Sequence, residues 1–156
     1  MTRIGIGYDL HRLEPSRRLI LGGIEVPYDK GLLGHSDADV LTHAVCDALL
    51  GAAGLGDIGR HFPESDAAYK DIESLKLLAR TIELINAKGF SVINLDATVV
   101  AQAPRLASFI PQMETTLAAT IAIPSDCINI KATTTEKMGV IGKNEAMAAM
   151  CVALIE

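Results

Sequence analysis

Residues 3–10 read RIGIGYDL, and glycine alternates there with larger residues in the rhythm of a β-strand. Glycine lacks a side chain, so Gly5 and Gly7 predict that another backbone segment approaches this strand closely. Side chains at positions i and i+2 project to one face of a strand, so Asp9 and His11 point the same way. The stretch therefore predicts a closely packed strand that carries a carboxylate and an imidazole side by side.

The rest of the chain alternates between predicted strands and predicted helices. Residues 19–27, LILGGIEVP, are typical of a hairpin that turns at Gly22-Gly23. Residues 145–155, EAMAAMCVALI, fit either a helix or a strand. The other elements that periodicity predicts are helices over 36–53, 71–88 and 106–122, and strands over 91–101 and 127–135. The alternation predicts an α/β or α+β sandwich, with one sheet covered by helices.

The first predicted helix carries an unusual polar stripe. Ser36 is its predicted N-cap and Asp39 the capping-box partner. Asp39, His43 and Asp47 follow at i, i+4 and i+8, on one face of an otherwise apolar helix. Two carboxylates buried without a positive partner are costly. A cation beside His43 would compensate them, and the carboxylates would then orient the imidazole.

These residues leave two interpretations open. Asp9, His11 and His43 together form a ligand set suited to zinc, and three protein ligands leave the fourth position free, as in catalytic sites. Alternatively, Asp9 and His11 are a surface pair beside a turn, and His43 is a hydrogen-bonded core histidine. Residue chemistry alone does not choose between them.

Composition limits the class of protein. The 156 residues are 49% hydrophobic and 21% charged, which predicts a single domain over 1–156 with some apolar surface buried against another subunit. The net charge of −5 argues against nucleic acid as a partner. Without a signal peptide or an apolar run of about 20 residues, we expect a cytoplasmic protein with no membrane partner. The three cysteines (Cys46, Cys127 and Cys151) lie in apolar runs, so we expect buried free thiols.

Four polar segments have both a structural and a functional interpretation. His35-Ser36-Asp37 caps a helix or binds an anion at the helix N-terminus. GDIG (56–59) is a helix C-terminal turn, and Arg105 after Pro104 is solvated, unless these segments bind substrate. The run Thr133–Lys137 reflects strand propensity or suits phosphate and magnesium.

Long blocks of the chain resemble one family. They are RIGIGYDLHRL (3–13), the segment GGIEVPYDKGLLGHSDADVLTHAVCDALLGAAGLGDIGRHFPESD (22–66), AQAPR (101–105) and KATTTEKMG (131–139). Together they are similar to the 2-C-methyl-D-erythritol 2,4-cyclodiphosphate synthases of the non-mevalonate isoprenoid pathway. The resemblance extends over essentially the whole chain.

The resemblance implies a reaction, its metals and an assembly. The 2-phosphate of 4-diphosphocytidyl-2-C-methyl-D-erythritol 2-phosphate attacks the β-phosphate, and CMP leaves as the cyclic diphosphate forms. Zinc is implied at Asp9, His11 and His43, and magnesium or manganese at Glu136. The implied assembly is a homotrimer around a three-fold axis with active sites between subunits, and the last segment is implied to be a strand. Rival hypotheses are a zinc-dependent phosphoesterase that hydrolyses a nucleotide diphosphate, and a non-catalytic trimer that binds a metal or an isoprenoid diphosphate.

The resemblance also implies roles for individual residues. His35 and Thr134 position and stabilise the reacting phosphates, beside the metal ligands Asp9, His11, His43 and Glu136. The residues implied to hold the methylerythritol and ribose portions are Ser36, Asp57, Ile58, Gly59, Phe62, Pro63, Glu64, Ser65 and Asp66. Those implied to form the cytidine and diphosphate pocket are Ala101, Gln102, Ala103, Pro104, Arg105, Leu106, Ala107, Thr133, Thr134, Thr135 and Glu136.

Two positions depart from the family. Many members carry phenylalanine and arginine after the TTTEK block, in a cavity on the trimer axis that holds an isoprenoid diphosphate. This chain has Val140 and Lys143 there. Valine removes the aromatic surface and lysine lacks the planar fork of arginine, which argues against this ligand here.

Overall fold

A mixed sheet of five strands forms the centre of the computed structural model, which describes residues 1–63 and 65–156. The strands in chain order are β1 (Arg3–Pro15), β2 (Leu19–Leu21), β3 (Ile24–Val26), β4 (Lys30–Leu32), β5 (Val92–Val100), β6 (Ile128–Thr133) and β7 (Ala146–Ile155). The sheet order is β4-β1-β7-β5-β6, in which only β5 and β6 pair in parallel, while β2 and β3 form a separate hairpin. The helices are α1 (Val40–Ala52), α2 (Ile58–His61), α3 (Ser74–Ala87), α4 (Ile110–Ile121) and α5 (Gly139–Gly142). The predicted α/β fold with one mixed, helix-covered sheet is confirmed.

The glycines of β1 bring helix α1 into contact with the strand backbone. A Cβ atom at Gly7 would lie 2.0 Å from the carbonyl oxygen of Ala44, and one at Gly5 would lie 2.1 Å from that of Ala48. No side chain fits in that space, so the close approach predicted from the sequence is confirmed. The same contact sets the distance between the odd-numbered face of β1 and the facing residues of α1.

Helix α1 begins at a different cap from the one predicted. Its N-cap is Asp39, whose side chain accepts the backbone N–H of Thr42, and not Ser36. The Asp39 carboxylate also accepts the Thr42 hydroxyl at 2.6 Å and the backbone N–H groups of Gly22 and Gly23 at 3.0 and 2.7 Å. Four donors outweigh the single bond that a serine hydroxyl would accept, which explains the shift. Residues 35–37 consequently precede the helix rather than form its N-terminus.

Other elements confirm or correct the predictions. The hairpin turns at Gly22 and Gly23, both at positive φ, and Gly89 follows α3 at positive φ. The last segment is the strand β7, as the resemblance implied. GDIG is not a helix C-terminal turn, because Asp57 caps the start of α2 by accepting the Arg60 N–H at 2.9 Å. Strand β4 was not predicted, and α4 begins only at Ile110, because Pro111 favours a first turn.

The two faces of the sheet differ. Helix α1 packs on β1 and β7, α4 packs beside β6, and α3 packs on α1. The opposite face leaves large apolar side chains in contact with water; Ile4 and Ile6 are each 70% exposed. The register places Val152 opposite Ile6 and Met150 opposite Tyr8, so one continuous patch results. We call it the open sheet face; its apolar members are Ile4, Ile6, Tyr8, Leu10, Met150 and Val152.

The three cysteines carry free thiols. Cys46 and Cys151 are buried and Cys127 is half-buried. Burial raises the pKa of the Cys46 and Cys151 thiols to about 12, so neither supplies a thiolate nucleophile near neutral pH. Across residues 1–63 and 65–156, no helix has the length and apolar character needed to cross a bilayer.

We predict that Gly7→Ala destabilises the fold by about 3 kcal/mol, because the added methyl group meets backbone rather than a movable side chain. The measurement is the free energy of unfolding in urea. Gly51→Ala is the matched control: Gly51 lies on α1, where an added Cβ has room, and alanine favours helix. Equal stability of Gly7→Ala and the wild type would refute the importance of this contact.

Candidate metal centre

Two elements bring Asp9, His11 and His43 together. Asp9 and His11 lie on the face of β1 that packs against α1, and His43 lies in the first turn of α1. Asp9 Oδ2 is 2.9 Å from His11 Nε2 and 3.0 Å from His43 Nδ1, and the two imidazole nitrogens are 3.1 Å apart. Each of the three residues offers one ligand atom, and these atoms all lie within 4.8 Å of one another. The group could therefore hold a metal ion.

In each imidazole, the hydrogen bonds of the nitrogen that faces away from the group indicate whether the other nitrogen can bind a metal. His11 Nδ1 lies 2.8 Å from the carbonyl oxygen of Leu33, which accepts only, so Nδ1 carries the proton and Nε2 presents its lone pair to the group. His43 Nε2 lies 2.9 Å from the Ser74 hydroxyl and 3.1 Å from that of Ser36. Both rings therefore have a partner outside the group, the arrangement found around metal-ligating histidines. The donor set fits a metal ion.

Asp9 is suited to be the anionic member of the group. Burial opposes ionisation of its carboxyl, but when the ring nitrogens of His11 and His43 that face Asp9 carry protons, their hydrogen bonds and charges outweigh this effect and hold the pKa of Asp9 well below its usual range. Asp9 is consequently ionised at neutral pH.

The other two carboxylates of the predicted stripe have structural roles. Asp39 is fully buried and bonded to Gly22, Gly23 and Thr42, and Asp47 accepts the backbone N–H of Ile58 at 3.1 Å. Among the hydrogen bonds that the described residues form, neither carboxylate has one to the His43 side chain; Asp39 meets His43 only through its backbone carbonyl, which accepts the His43 backbone N–H at 3.0 Å. The inference that they require a cation was therefore wrong, because backbone donors satisfy them; the carboxylate beside His43 is Asp9.

The group opens into a cavity of about 150 Å³. Phe62 and Tyr69 form part of its wall, with their rings edge to face at 5.5 Å. Tyr69 and Leu77 were not predicted as site residues, since neither stands in a polar motif. The predicted residues that line this cavity are Asp9, His11, His35, Ser36, His43, Ile58, Gly59 and Phe62.

A second cavity, of about 220 Å³, lies at the end of β5 and β6. Ala132 was not predicted there. Beside this cavity Thr134 donates its hydroxyl to Glu136 at 2.9 Å, and the Lys137 N–H donates to the Gln102 side chain at 3.1 Å, which ties the two loops together. The predicted residues in its lining are Ala101, Gln102, Pro104, Arg105, Leu106, Ala107, Thr133 and Thr134.

The remaining predicted residues that the structure describes line neither cavity. Asp57 and Asp66 cap short helical turns, at Ile58–His61 and Ala67–Tyr69. Val140 lines a third cavity, of about 410 Å³, next to Leu10 and Arg12. Glu64 lies outside the described residues. The others that line neither of the first two cavities are Pro63, Ser65, Ala103, Thr135, Glu136 and Lys143.

Comparison with known proteins identifies the family. The sequence model of the YgbB family matches residues 2–156. The chain belongs to the YgbB family. One member, the 2-C-methyl-D-erythritol 2,4-cyclodiphosphate synthase of Desulfosudis oleivorans, is 60% identical over 153 residues, which cover 98% of this chain and 91% of that protein. The family resemblance predicted from the sequence is confirmed.

Two solved structures share the fold. The bifunctional IspDF from Campylobacter jejuni matches with a TM-score of 0.96 and 41% identity over 99% of this chain, which spans only 42% of that longer protein. The CDP complex of IspF from Plasmodium falciparum matches with a TM-score of 0.86 and 32% identity, covering 99% of this chain and 95% of that one.

We predict that His43→Ala weakens zinc binding by more than about 100-fold, because it removes one of three ligands, whereas loss of an outer-shell partner costs 10–100-fold. Zinc affinity is measured by competition with a chromophoric chelator. His61→Ala is the control, since His61 on α2 bonds to the Leu55 carbonyl and lies outside the group. Unchanged affinity of His43→Ala would exclude His43 as a ligand.

Proposed function

We propose that this YgbB chain converts 4-diphosphocytidyl-2-C-methyl-D-erythritol 2-phosphate to 2-C-methyl-D-erythritol 2,4-cyclodiphosphate and CMP. The observation that carries the proposal is the family match over residues 2–156, together with the synthase relative that is 60% identical. The Asp9, His11 and His43 group supports it, because it can hold the cation that a reaction between two phosphates requires. A cytoplasmic location stays a prediction.

The proposed metals are zinc at Asp9, His11 and His43, and magnesium or manganese at Glu136. When bound, they would offset the repulsion between the two phosphates and act as Lewis acids. Oxygen ligands suit magnesium, and Glu136 is an exposed carboxylate at the end of β6.

The chain's own residues would position the substrate. His35 lines the metal cavity with its Nε2 3.4 Å from the Asp66 carbonyl oxygen, where it can donate to a phosphate. The Thr134 hydroxyl can exchange its bond to Glu136 for one to a phosphate oxygen. Burial raises the pKa of the Cys46 and Cys151 thiols, so neither is activated for attack. Orientation and charge stabilisation therefore carry the rate, as in other phosphoryl transfers.

The cavity at the end of β5 and β6 is the proposed cytidine pocket. Its lining comes from the loop after β5, with the exposed residue Arg105, and from the end of β6. The relative from Plasmodium falciparum, whose structure is described as a CDP complex, supports a cytidine nucleotide as ligand. Ser36, Ile58, Gly59 and Phe62 would hold the methylerythritol portion in the metal cavity.

We propose that three chains assemble around the open sheet face. Covering an exposed patch of isoleucine, tyrosine, methionine and valine with another subunit lowers the free energy, because apolar surface is removed from water. The register aligns Leu10 of β1 with Thr133 of β6 through β7 and β5, three strand spacings or roughly 14 Å apart. One diphosphate cannot bridge that distance within a chain. A site completed by the adjacent subunit would bring both phosphate-binding regions together.

A zinc-dependent phosphoesterase is the second candidate, because an open metal position also activates water. The products of the cytidyl substrate in ¹⁸O-labelled water separate the two functions. The synthase yields CMP and an unlabelled cyclic diphosphate in equal amounts, since the substrate's own phosphate is the nucleophile. Labelled linear products would favour the hydrolase, and no turnover with zinc and magnesium present would overturn both.

We predict that Ile6→Glu converts the assembly to monomers, because three like charges would be buried on the open sheet face. Sedimentation velocity gives the mass, and the control is Lys88→Glu, an exposed change at the end of α3 on the other side of the sheet. A wild type that is already monomeric would contradict the proposed trimer.

A further inference from the structure

The outer side of His43 is held by a chain of hydrogen bonds that the sequence did not indicate. His43 Nε2 is 2.9 Å from the Oγ of Ser74, the first residue of α3. Ser74 is fully buried, and its hydroxyl donates to the carboxylate of Asp37. The same carboxylate accepts the backbone N–H of Ser74 at 3.0 Å and that of Asp39 at 3.3 Å.

The last member of this chain fixes the direction of every bond. An ionised carboxylate only accepts, so the Ser74 hydroxyl proton points to Asp37. The remaining lone pairs of Ser74 Oγ then face His43 and accept a hydrogen bond from the Nε2–H group. With Nε2 protonated, the neutral imidazole presents an unprotonated Nδ1, the atom that faces Asp9 and His11.

Ser36 does not supply the same direction. Its hydroxyl oxygen is 3.1 Å from His43 Nε2, but it accepts the Ala38 N–H, and its own proton is free to point at His43 or at Ser74. A hydrogen bond donated by Ser36 to Nε2 would favour the tautomer with the proton on Nδ1, which could not bind a metal through Nδ1. Only Ser74 has its proton committed to a carboxylate.

We propose that Ser74 and Asp37 are positioning residues that hold His43 as the Nε2–H tautomer, with Nδ1 directed to the metal. In His11 the Leu33 carbonyl holds the proton on Nδ1 and leaves Nε2 free for the metal. The two imidazoles are therefore oriented by different hydrogen-bond partners. The proposal rests on the zinc site of the proposed function, and it adds two residues from segments outside the three ligands.

The test measures zinc affinity by chelator competition in the full-length protein. Ser74→Ala removes the acceptor, and Asp37→Asn keeps the shape but turns an amide N–H toward Ser74 Oγ, because its carbonyl oxygen must still accept the Ser74 N–H. Each variant should bind zinc about 10-fold more weakly. Thr81→Val is the matched control on α3, since Thr81 is equally buried but its hydroxyl lies outside this chain. It should bind zinc like the wild type.

A second readout follows the tautomer directly. In ¹⁵N spectra of the zinc-loaded wild type, the Nε2 of His43 should carry a proton that exchanges slowly with water. In Ser74→Ala that proton should exchange faster. If the wild-type spectra show that His43 binds zinc through Nε2, the proposal is overturned. This measurement needs no variant, so it remains decisive even if Ser74→Ala fails to fold.

The outcomes separate this proposal from the proposed function. Zinc binding by both variants within twofold of the wild type overturns the positioning role and leaves the metal site intact. Loss of affinity in Ser74→Ala but not in Asp37→Asn overturns the directing role of Asp37. A wild type that binds no zinc overturns the metal site and the positioning role together.

Discussion

The structure depends on the contact between the backbone of β1 and helix α1. Because Gly5 and Gly7 have no side chains, the carbonyl oxygens of Ala48 and Ala44 can lie about where a Cβ atom at these positions would clash with them. Asp9 follows Gly7 on the same face of β1, and His43 precedes Ala44 on α1. The packing distance between strand and helix thus sets the distances within the group that could hold a metal ion.

Hydrogen bonding assigns different tasks to the acidic side chains around α1. Asp39 and Asp47 satisfy backbone N–H groups and hold the hairpin and α2 against the helix. Asp37 accepts a hydrogen bond from the Ser74 hydroxyl. Of these four residues, only Asp9 directs its carboxylate toward the imidazoles of His11 and His43. Asp39 and Asp47 therefore hold the local structure, and Asp9 supplies the carboxylate that faces the two imidazoles.

Sequence reasoning found the parts of the fold that local patterns encode. The alternating glycines of β1, the Gly22-Gly23 turn and the D-x-H pair each carry their signal within a few residues. It misplaced the N-cap of α1, because the choice of Asp39 over Ser36 depends on donors from the distant hairpin. It missed Ser74 for the same reason: nothing in the sequence around a serine at the start of α3 indicates contact with His43. The strand β7 followed from the family resemblance, since its alanines and methionines fit helix equally well.

Strand β1 and helix α1 together build a group that could hold a metal ion, and we predict His11 Nε2 and His43 Nδ1 as its nitrogen ligands. Zinc-edge anomalous diffraction from crystals of the metal-loaded protein tests it most directly. We predict one strong peak per chain, enclosed by Asp9, His11 and His43 and accessible from the cavity that Phe62 and Tyr69 border. A zinc-loaded crystal with no peak at this position, or with the ion bound only elsewhere, would contradict it.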